Sequence, residues 1–321
     1  MKENLIIMHG GGPTAVLNCS LYGAVREAQK SGVVEHVYGA VGGTGGLLRE
    51  QLLDFNAVPE EQLELLPTTP ATAIGTSRDA LEAEDYARMT EILEAHNIRY
   101  VLMNGGNGTM DACGKLAAAC KDKGIKVMGI PKTMDNDIAV TDHCPGFGSV
   151  ARYMAGTVRE LGVDVRSLPI HVVVLESLGR NAGWTTAASA LAREQGGDAP
   201  HLAQMIVRRL GIKARSEKPG ILARASIAWQ SPVDAAEAEL AGREACRAAL
   251  AGETGKMVGF RRLSTEPYRC ETFLIPIEEV MLGERVLTPE YLTADGTDVT
   301  EAFRRWCAPL IGPELPSMAR L

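Results

Sequence analysis

Acidic, basic and hydroxyl side chains are crowded into one short segment of the sequence, residues 131–137. Asp135 and Asp137 stand two residues apart, and Lys132 and Thr133 come just before them. Phosphoryl transfer needs a carboxylate that accepts a hydroxyl proton, an oxygen near Mg²⁺ and a cation where negative charge gathers. The segment offers all three, although Asp-Asn-Asp strings are more often solvated turns. We therefore predict that Asp135 is a catalytic base and that Asp137 is associated with Mg²⁺.

Two other loops, residues 9–14 and 104–109, combine several glycines with polar side chains directly after apolar segments. Glycine turns let backbone N–H groups converge on an anion at the N-terminus of the following helix. A tight turn would explain either loop alone, and neither loop fits the Walker or the dinucleotide-binding pattern. Because the sequence contains two such loops, it favours a binding site for a phosphate chain.

Arginine is available in two further loops. Arg78 ends the segment 74–78, and Arg180 lies in the glycine-containing segment 178–184, at the start of a predicted helix. A single arginine is more often a surface charge than a ligand. These loop settings nevertheless favour phosphate contacts for both side chains, and Arg180 could also reach a sugar hydroxyl.

Strands and helices that alternate along the chain must position these loops. Repeated strand–helix units indicate an α/β fold with a parallel sheet and helices on both faces, and such sheets bind ligands at the carboxyl ends of their strands. A length of 321 residues suits two lobes, a phosphate-binding lobe at 1–145 and an acceptor lobe at 146–321. Strands are predicted at residues 5–8, 36–42, 100–104, 126–130, 171–175 and 221–227, and helices at 85–96, 110–123, 149–161, 182–194, 202–210 and 233–251.

Composition limits the remaining possibilities. A formal net charge of −7 and a pI near 5.5 argue against binding to nucleic acid or to an anionic membrane. The seven cysteines show no metal-ligand spacing and are interpreted as buried thiols of a reducing compartment. The sequence contains no apolar run of membrane-spanning length. We expect a cytoplasmic enzyme whose charged residues at 237–244 lie on a helix face that is solvated or at a subunit contact.

The segments GGGPTAVLN, IGTSR, GGNGT, PKTMDND and LGRNAGW follow one another in this order. Together they resemble the phosphofructokinase family, and within it the pyrophosphate-using branch, over nearly the whole chain. The resemblance implies a two-lobed α/β fold and Mg²⁺-dependent phosphoryl transfer from pyrophosphate, or ATP, to the 1-hydroxyl of fructose 6-phosphate. The product would be fructose 1,6-bisphosphate, in glycolysis or gluconeogenesis. The enzyme would be a cytoplasmic homodimer or homotetramer.

The resemblance also implies roles for single residues. Asp135 would be the proton acceptor, with Lys132 and Arg180 as further catalytic groups. Asn107 would stand where ATP-using relatives bind Mg²⁺ through an aspartate, and its amide oxygen could still ligate the ion. Contacts to the donor would come from Gly11, Arg78, Gly106, Gly108 and Thr109, and contacts to the sugar phosphate from Thr133, Asp137, Leu178, Gly179 and Arg224.

Two positions give opposite indications of the phosphoryl donor. Lys132 is typical of the pyrophosphate-using relatives, whereas Gly108 stands where those relatives usually carry an aspartate that blocks the adenine side. We favour pyrophosphate, because a lysine supplies positive charge for a short donor. ATP stays open as the alternative.

The second half of the chain departs from the family pattern. At residues 198–203 the sequence omits strands that related sequences carry, which predicts a shortened second lobe lacking strands after His201. Cations expected near the 6-phosphate are replaced at His171 and within residues 228–231. A kinase for another sugar and a catalytically impaired phosphate-binding homologue therefore stay open as alternatives.

Overall fold

A computed structural model of the protein describes residues 2–167, 172–179, 181–192 and 209–318. Its strands are β1 (Glu3–His9), β2 (Val34–Ala40), β3 (Leu52–Asp54), β4 (Ile98–Gly105), β5 (Lys126–Pro131), β6 (Val172–Leu175), β7 (Ala214–Glu217), β8 (Lys256–Thr265) and β9 (Tyr268–Pro276). Its α-helices are α1 (Leu17–Ser31), α2 (Gly43–Leu48), α3 (Glu60–Glu64), α4 (Ala83–Ala95), α5 (Asn107–Ala119), α6 (Phe147–Ser167), α7 (Trp184–Ser189), α8 (Ile221–Ala225), α9 (Pro232–Leu250) and α10 (Glu301–Cys307).

Seven strands form one mixed sheet in the order β3-β2-β1-β4-β5-β8-β9, and β6 pairs with β7 in a separate parallel sheet. In the large sheet, the five strands β2, β1, β4, β5 and β8 run parallel to one another. The two edge strands, β3 and β9, are antiparallel to their neighbours. The central strands are largely buried on both faces, which is why their sequences are continuous apolar runs. The predicted α/β fold with a largely parallel sheet is confirmed.

Helices cover both faces of the large sheet. On one face α4 and α5 pack against Ile6 and Met8 of β1. On the other face α1 and α9 pack against Leu5 and Ile7. Alternate residues of the strand therefore enter opposite layers, as the two-residue period of a strand requires. The carboxyl ends of the parallel strands meet at one edge, and the polar loops follow there.

The second half of the chain also contributes to the large sheet. β8 and β9 extend that sheet beyond β5, so a boundary at residue 145 does not separate the two sheets. The assignment of lobes to residues 1–145 and 146–321 stays a prediction. A further core lies among α6, α7 and α10, where the rings of Phe147, Trp184 and Trp306 pack together.

Two predicted elements of the second half have different outcomes. The strand predicted at 221–227 is wrong, because Ile221–Ala225 form α8. An apolar run of this length fits either element, and Ile221 and Leu222 are 67% and 71% exposed instead of buried in a sheet. The helix predicted at 233–251 is confirmed as α9, which begins after the N-cap Ser231. Most of the helix predicted at 202–210 lies outside the described residues.

Glycines allow α1 and α9 to pack at close range. A methyl group added to Gly23 would overlap the backbone oxygen of Glu239, and one added to Gly242 would overlap the backbone oxygen of Ser20. Backbone atoms cannot move aside as a flexible side chain can, so these glycines fix the distance between the helices. This helix pair lies on the sheet face that contains Leu5 and Ile7.

Replacing Gly242 by alanine is expected to lower the free energy of unfolding by about 1–3 kcal/mol, because the methyl group would push α9 away from α1. Gly162→Ala is the matched control, since Gly162 lies in α6 and, among the described residues, no atom lies within 4 Å of an added methyl group. That control is expected to be stabilised by roughly 0.5–1 kcal/mol through helix propensity. Urea unfolding of both variants measures the difference, and equal effects would contradict the close-packing argument.

The cysteines and the helices also bear on the environment of the protein. All seven cysteines are free thiols, and all but Cys270 are buried. Within the described part of the chain, no helix combines the length and the apolar character needed to cross a lipid bilayer. The interpretation of the cysteines as mostly buried thiols is confirmed.

Candidate active site

Three loops at the carboxyl ends of β1, β4 and β5 are joined by backbone hydrogen bonds. The N–H of Gly10 donates to the carbonyl oxygen of Asn104 at 2.9 Å. The N–H of Lys132 donates to the carbonyl oxygen of Gly105, also at 2.9 Å. The sheet register therefore brings two glycine loops and the acidic segment 131–137 side by side.

The segment that carries Arg78 is tied to the first of these loops. The N–H of Gly11 donates to the carbonyl oxygen of Ser77 at 2.9 Å, and the hydroxyl of Thr76 donates to the carbonyl oxygen of Gly11 at 2.7 Å. Gly11 has a φ of 75°, in the left-handed region that favours glycine. Arg78 is thereby held next to the turn at Gly11.

Thr109 fills the space between the two glycine loops. A Cβ atom on either Gly10 or Gly105 would overlap its side chain, so the loops approach each other only because both positions are glycine. Gly106 is the N-cap of α5. The positive end of this helix dipole lies at the same edge of the sheet and favours an anion there.

Three cationic side chains surround the turn at Gly11 and Gly12. The ammonium of Lys132 donates to the carbonyl oxygen of Gly12 at 2.5 Å, and a Cβ added to Gly11 would lie 3.6 Å from the same nitrogen. A Cβ on Gly12 would lie 2.5 Å from Nη1 of Arg224 and 3.2 Å from Nη2 of Arg78. Three positive charges around one glycine turn form a strong local site for a polyanion in a protein whose net charge is negative.

Lys132 is 3% exposed, and its environment changes its acidity. Burial is the main cause that lowers the pKa of Lys132 to about 8, and the charges of Arg224 and Arg78 act in the same direction, against Asp135 and Asp137. Burial also lowers the pKa of the Arg224 guanidinium, with Arg78 contributing. A bound anion would relieve this repulsion between the cations.

The acidic loop after β5 is held by its own side chains. The N–H of Asp135 donates to the hydroxyl of Thr133 at 3.1 Å. Asn136 adopts a left-handed φ of 52°, and its side-chain oxygen accepts from the N–H of Cys144 at 3.0 Å. Asp135 and Asp137 therefore stand on a turn that is fixed from within, at the wall of the cleft.

The loops enclose a cleft of about 550 Å³. Every predicted site residue except Arg180 lines this cleft, and Arg180 lies outside the described residues. The roles assigned to these residues stay predictions, but the side chains and glycines predicted from separate loops share one cavity. Those lining residues are Gly11, Arg78, Gly106, Asn107, Gly108, Thr109, Lys132, Thr133, Asp135, Asp137, Leu178, Gly179 and Arg224.

Asn107 is suited to hold a metal ion in this cleft. Its side-chain oxygen is buried and has no hydrogen-bond partner among the described residues. Among those residues there is also no group of three or more His, Cys, Asp or Glu side chains that could bind a metal by themselves. Mg²⁺ commonly takes one or two protein oxygens together with water and substrate phosphates. The residues present fit such an ion, with Asn107 as a ligand.

His9 also lines the cleft, although it is not among the predicted site residues. Its Nδ1 lies 2.8 Å from the hydroxyl of Thr72. Burial, together with the charge of Lys132, lowers the pKa of His9 to about 3, so the imidazole is neutral at pH 7. The signal in the sequence was its place as the last residue of β1, where it pairs in register with Asn104 of β4.

An open α/β sheet with glycine turns, a helix N-terminus and clustered cations at the carboxyl ends of its strands defines a class of proteins that bind phosphorylated ligands. Within that class, residues 4–209 match the family model described as phosphofructokinase. The chain belongs to the phosphofructokinase family.

Individual relatives are similar over nearly the full length. A pyrophosphate--fructose 6-phosphate 1-phosphotransferase of Xanthomonas campestris is 31% identical over 388 aligned positions, which cover 98% of this chain and 92% of the relative. A sulfofructose kinase of Alkalicoccus urumqiensis is 28% identical over 98% of this chain and 96% of its own. The alignment of 388 positions is longer than the 321 residues of this chain, which is therefore shorter than that relative, as the sequence predicts.

A solved structure gives the same result for the fold. The pyrophosphate-dependent phosphofructokinase from Nitrosospira multiformis superposes with a TM-score of 0.92 at 30% identity, and the match covers 99% of this chain and 94% of that chain. The predicted phosphofructokinase-like α/β architecture is confirmed. The residues around 198–203, where the sequence predicts missing strands, lie outside the described residues.

Proposed function

We propose that the protein transfers a phosphoryl group from pyrophosphate to the 1-hydroxyl of fructose 6-phosphate, yielding fructose 1,6-bisphosphate and phosphate in a Mg²⁺-dependent reaction. The observation that carries the proposal is the shared cleft, in which Lys132, Arg78 and Arg224 surround the Gly11–Gly12 turn and Asp135 lies on the same wall. The names of the full-length relatives support both the donor and the acceptor.

Each residue group has a separate task in this proposal. The backbone of Gly11 and Gly106, with Lys132 and Arg78, binds the pyrophosphate. Asp135 accepts the proton of the 1-hydroxyl. The hydroxyl oxygen of the sugar forms a bond to one phosphorus of pyrophosphate as the bond from that phosphorus to the bridging oxygen breaks, and the other half of pyrophosphate leaves as phosphate. A bound Mg²⁺, held in part by Asn107, would neutralise charge on the donor oxygens. Thr133, Gly179 and Arg224 orient the sugar phosphate.

ATP is the second candidate donor because of one observation at Gly108. No atom of the described residues lies within 4 Å of a Cβ added to this glycine, so the described part of the cleft is open beside the second glycine loop. A short donor does not need this space, whereas a nucleoside could occupy it. Pyrophosphate stays the favoured donor because Lys132 adds a charge at the donor position.

A purified-protein assay with fructose 6-phosphate and Mg²⁺ tests the proposal, with pyrophosphate and ATP compared at equal concentration. We expect turnover with pyrophosphate at a higher kcat/KM than with ATP. Turnover with ATP alone would reassign the donor. Turnover on another sugar but not on fructose 6-phosphate would reassign the acceptor, for which the sulfofructose kinase relative names a first compound class to screen. No turnover on any sugar would contradict an enzymatic role.

Lys132 is expected to give pyrophosphate binding a characteristic pH dependence. The pKa of the Lys132 ammonium is lowered to about 8 in the free protein. Its positive charge is therefore present below pH 8 and is lost above it. Affinity for pyrophosphate should therefore fall as the pH rises through 8. Lys132→Met should bind about 10–150 times more weakly at pH 7, which corresponds to about 1.5–3 kcal/mol for a charge-assisted contact.

Calorimetry with pyrophosphate between pH 6.5 and 9.5 checks this expectation. Lys126→Met is the control, because Lys126 is the first residue of β5 and lies at the end of that strand opposite to Lys132, which follows it. Parallel pH curves for the wild-type protein and Lys132→Met would show that another group causes the loss of affinity.

We also propose that the protein is cytoplasmic and assembles as a homodimer or homotetramer. Free, mostly buried cysteines support a reducing compartment. The exposed Ile221 and Leu222 stand on the helix that carries Arg224, which supports a subunit contact beside the cleft. Sedimentation analysis of the purified chain measures the number of subunits.

A further inference from the structure

Arg285 is far from the predicted site residues in the sequence but contacts the acidic loop at several points. Its guanidinium donates to the backbone carbonyl oxygens of Asn136, from Nε and Nη2 at 3.2 Å each, and of Thr141 and Asp142, from Nη1 at 2.6 and 2.9 Å. Its backbone N–H donates to the carbonyl oxygen of Asp137 at 2.7 Å. One residue thus donates to carbonyl oxygens at both ends of the stretch 136–142.

The same residue reaches the loop that follows Leu178 and Gly179. The carbon of the Arg285 guanidinium lies 4.7 Å from the ring centroid of Trp184, and the indole N–H of Trp184 donates to the carbonyl oxygen of Arg285 at 3.4 Å. Two residues further on, the N–H of Leu287 donates to the carbonyl oxygen of Ala182 at 2.8 Å. Residues 285–287 therefore form a strap that joins the acidic loop to the loop at 178–184.

The acidic loop needs such external support. Residues 132–146 contain no helix or strand in the structure, and both Asn136 and Val140 adopt left-handed backbone angles, with φ of 52° and 71°. A non-glycine residue in such a conformation costs about 1–3 kcal/mol and persists only where surrounding contacts fix it. Buried carbonyl oxygens also require donors. Arg285 supplies donors without introducing an acceptor.

Arginine is suited to this position in a way that lysine is not. Its planar guanidinium offers five N–H donors in a fixed fork and can stack on an aromatic ring, whereas an ammonium is a compact group on a flexible stem. The guanidinium N–H groups of Arg285 donate to three backbone carbonyl groups, and one face of the guanidinium plane stacks on the Trp184 ring. It does not line the cleft itself, so substrate contact does not explain its placement.

We propose that Arg285 is a positioning residue that holds the carboxylates of Asp135 and Asp137 in register with the loop at 178–184. This inference rests on the proposed function, because it assigns the acceptor hydroxyl to the space between these loops. Within the described part of the chain, Arg285 makes no direct hydrogen bond to the donor loops at Gly11 and Gly106. Its loss therefore impairs the chemical step, where a displacement of about 1 Å costs up to about 100-fold, and spares donor binding.

The experiment compares Arg285→Ala and Arg285→Lys with Arg152→Ala. Arg152 is a matched control because its guanidinium also donates to two backbone carbonyl oxygens, of Ile311 at 2.8 Å and Pro313 at 2.6 Å, away from the cleft. For each variant, kcat and KM for fructose 6-phosphate, the Kd for pyrophosphate by calorimetry and the amide hydrogen exchange of residues 135–142 are measured.

For Arg285→Ala we expect kcat to fall about 10–100-fold, with the pyrophosphate Kd changed less than about threefold and exchange at 135–142 accelerated. Added guanidinium ion should restore part of kcat in this variant. Arg285→Lys should lie between the wild-type protein and Arg285→Ala, and it serves as the test if the alanine variant does not fold. Arg152→Ala should keep kcat within about threefold.

Two results would overturn the inference. One is a kcat of Arg285→Ala equal to that of Arg152→Ala, and the other is a parallel loss of pyrophosphate affinity and turnover without rescue. If the wild-type protein has no turnover with either donor, the proposed function fails. Hydrogen exchange then still decides the positioning role, because faster exchange at 135–142 in Arg285→Ala alone supports it and unchanged exchange refutes it.

Discussion

Asp135→Asn is expected to lower kcat by at least about 100-fold while the affinity for pyrophosphate stays close to that of the wild-type protein. The amide has the same shape as the carboxylate, and the backbone hydrogen bond from Asp135 to Thr133 is kept. The proton acceptor for the 1-hydroxyl is lost. Donor binding depends on Gly11, Lys132 and Arg78, which the substitution leaves in place.

A coupled assay and calorimetry measure these two quantities separately. Asp122→Asn, at an exposed position after α5, is the control for a simple loss of one negative charge. The pH profile adds a second readout, because the acidic limb of kcat/KM should disappear when the base is removed. A rate equal to that of the wild-type protein would exclude Asp135 as the base, and an equal loss of rate and pyrophosphate affinity would place it in donor binding instead.

The placement of the candidate site could be predicted from local sequence because each site loop follows a strand of one parallel sheet. Lys132 comes directly after β5, and Gly106 directly after β4. Once strands are parallel and neighbours, residues that follow them must lie at the same edge. The prediction therefore needed only the strand pattern and the loop residues, not the distances between the loops.

Contacts that depend on tertiary structure could not be predicted in this way. Arg285 has no motif around it, and its carbonyl partners lie more than 140 residues away in the chain. Glu237, expected on a helix face that is solvated or at a subunit contact, is instead nearly buried within the chain and lies 2.7 Å from Nε2 of His143. The regular helical period of α9 predicts a helix, but it does not predict which face of that helix packs against the loop at 141–145.

Around Glu237 lies a cluster of charges that joins three parts of the chain. His143 is 2% exposed, and its two ring nitrogens contact carboxylates, with Asp142 at 2.8 Å and Glu237 at 2.7 Å. Arg262 of β8 donates to Asp142 at 3.0 Å, and Tyr268 of β9 donates to the other oxygen of Glu237 at 2.6 Å. The cluster connects the acidic loop to α9 and to the β8–β9 hairpin.

The protonation states follow from these contacts. Burial opposes a charge on His143, but the carboxylates of Glu237 and Asp142 outweigh it and raise its pKa to about 9. Burial opposes ionisation of Asp142 as well, and the hydrogen bonds and charges of His143 and Arg262 hold its pKa far below the usual range. His143 and Asp142 are thus both charged at pH 7, and each ring nitrogen of His143 faces a carboxylate.

Asp142→Asn is expected to lower the free energy of unfolding by about 3 kcal/mol at pH 6, since it leaves two buried or half-buried cations with one carboxylate fewer. The effect depends on pH in a defined direction. A histidine whose pKa is raised from 6.5 to about 9 stabilises the fold fully below pH 6.5 and loses that contribution as the pH rises through 9. The stability difference between the wild-type protein and Asp142→Asn should therefore shrink between pH 6.5 and 9.5.

Urea unfolding at pH 6, 8 and 9.5 measures this difference, with Asp295→Asn as the control. Asp295 also accepts hydrogen bonds, from Thr293 at 2.6 Å and Thr297 at 2.8 Å, but it is fully exposed. Its substitution should change the free energy of unfolding far less than Asp142→Asn does, because exposed contacts are weak. A difference for Asp142→Asn that stays constant with pH would assign the stabilisation to Arg262 and Trp306, which also donate to the Asp142 carboxylate. A difference that shrinks between pH 6.5 and 9.5 would assign the stabilisation to His143, which loses its proton as the pH rises through 9.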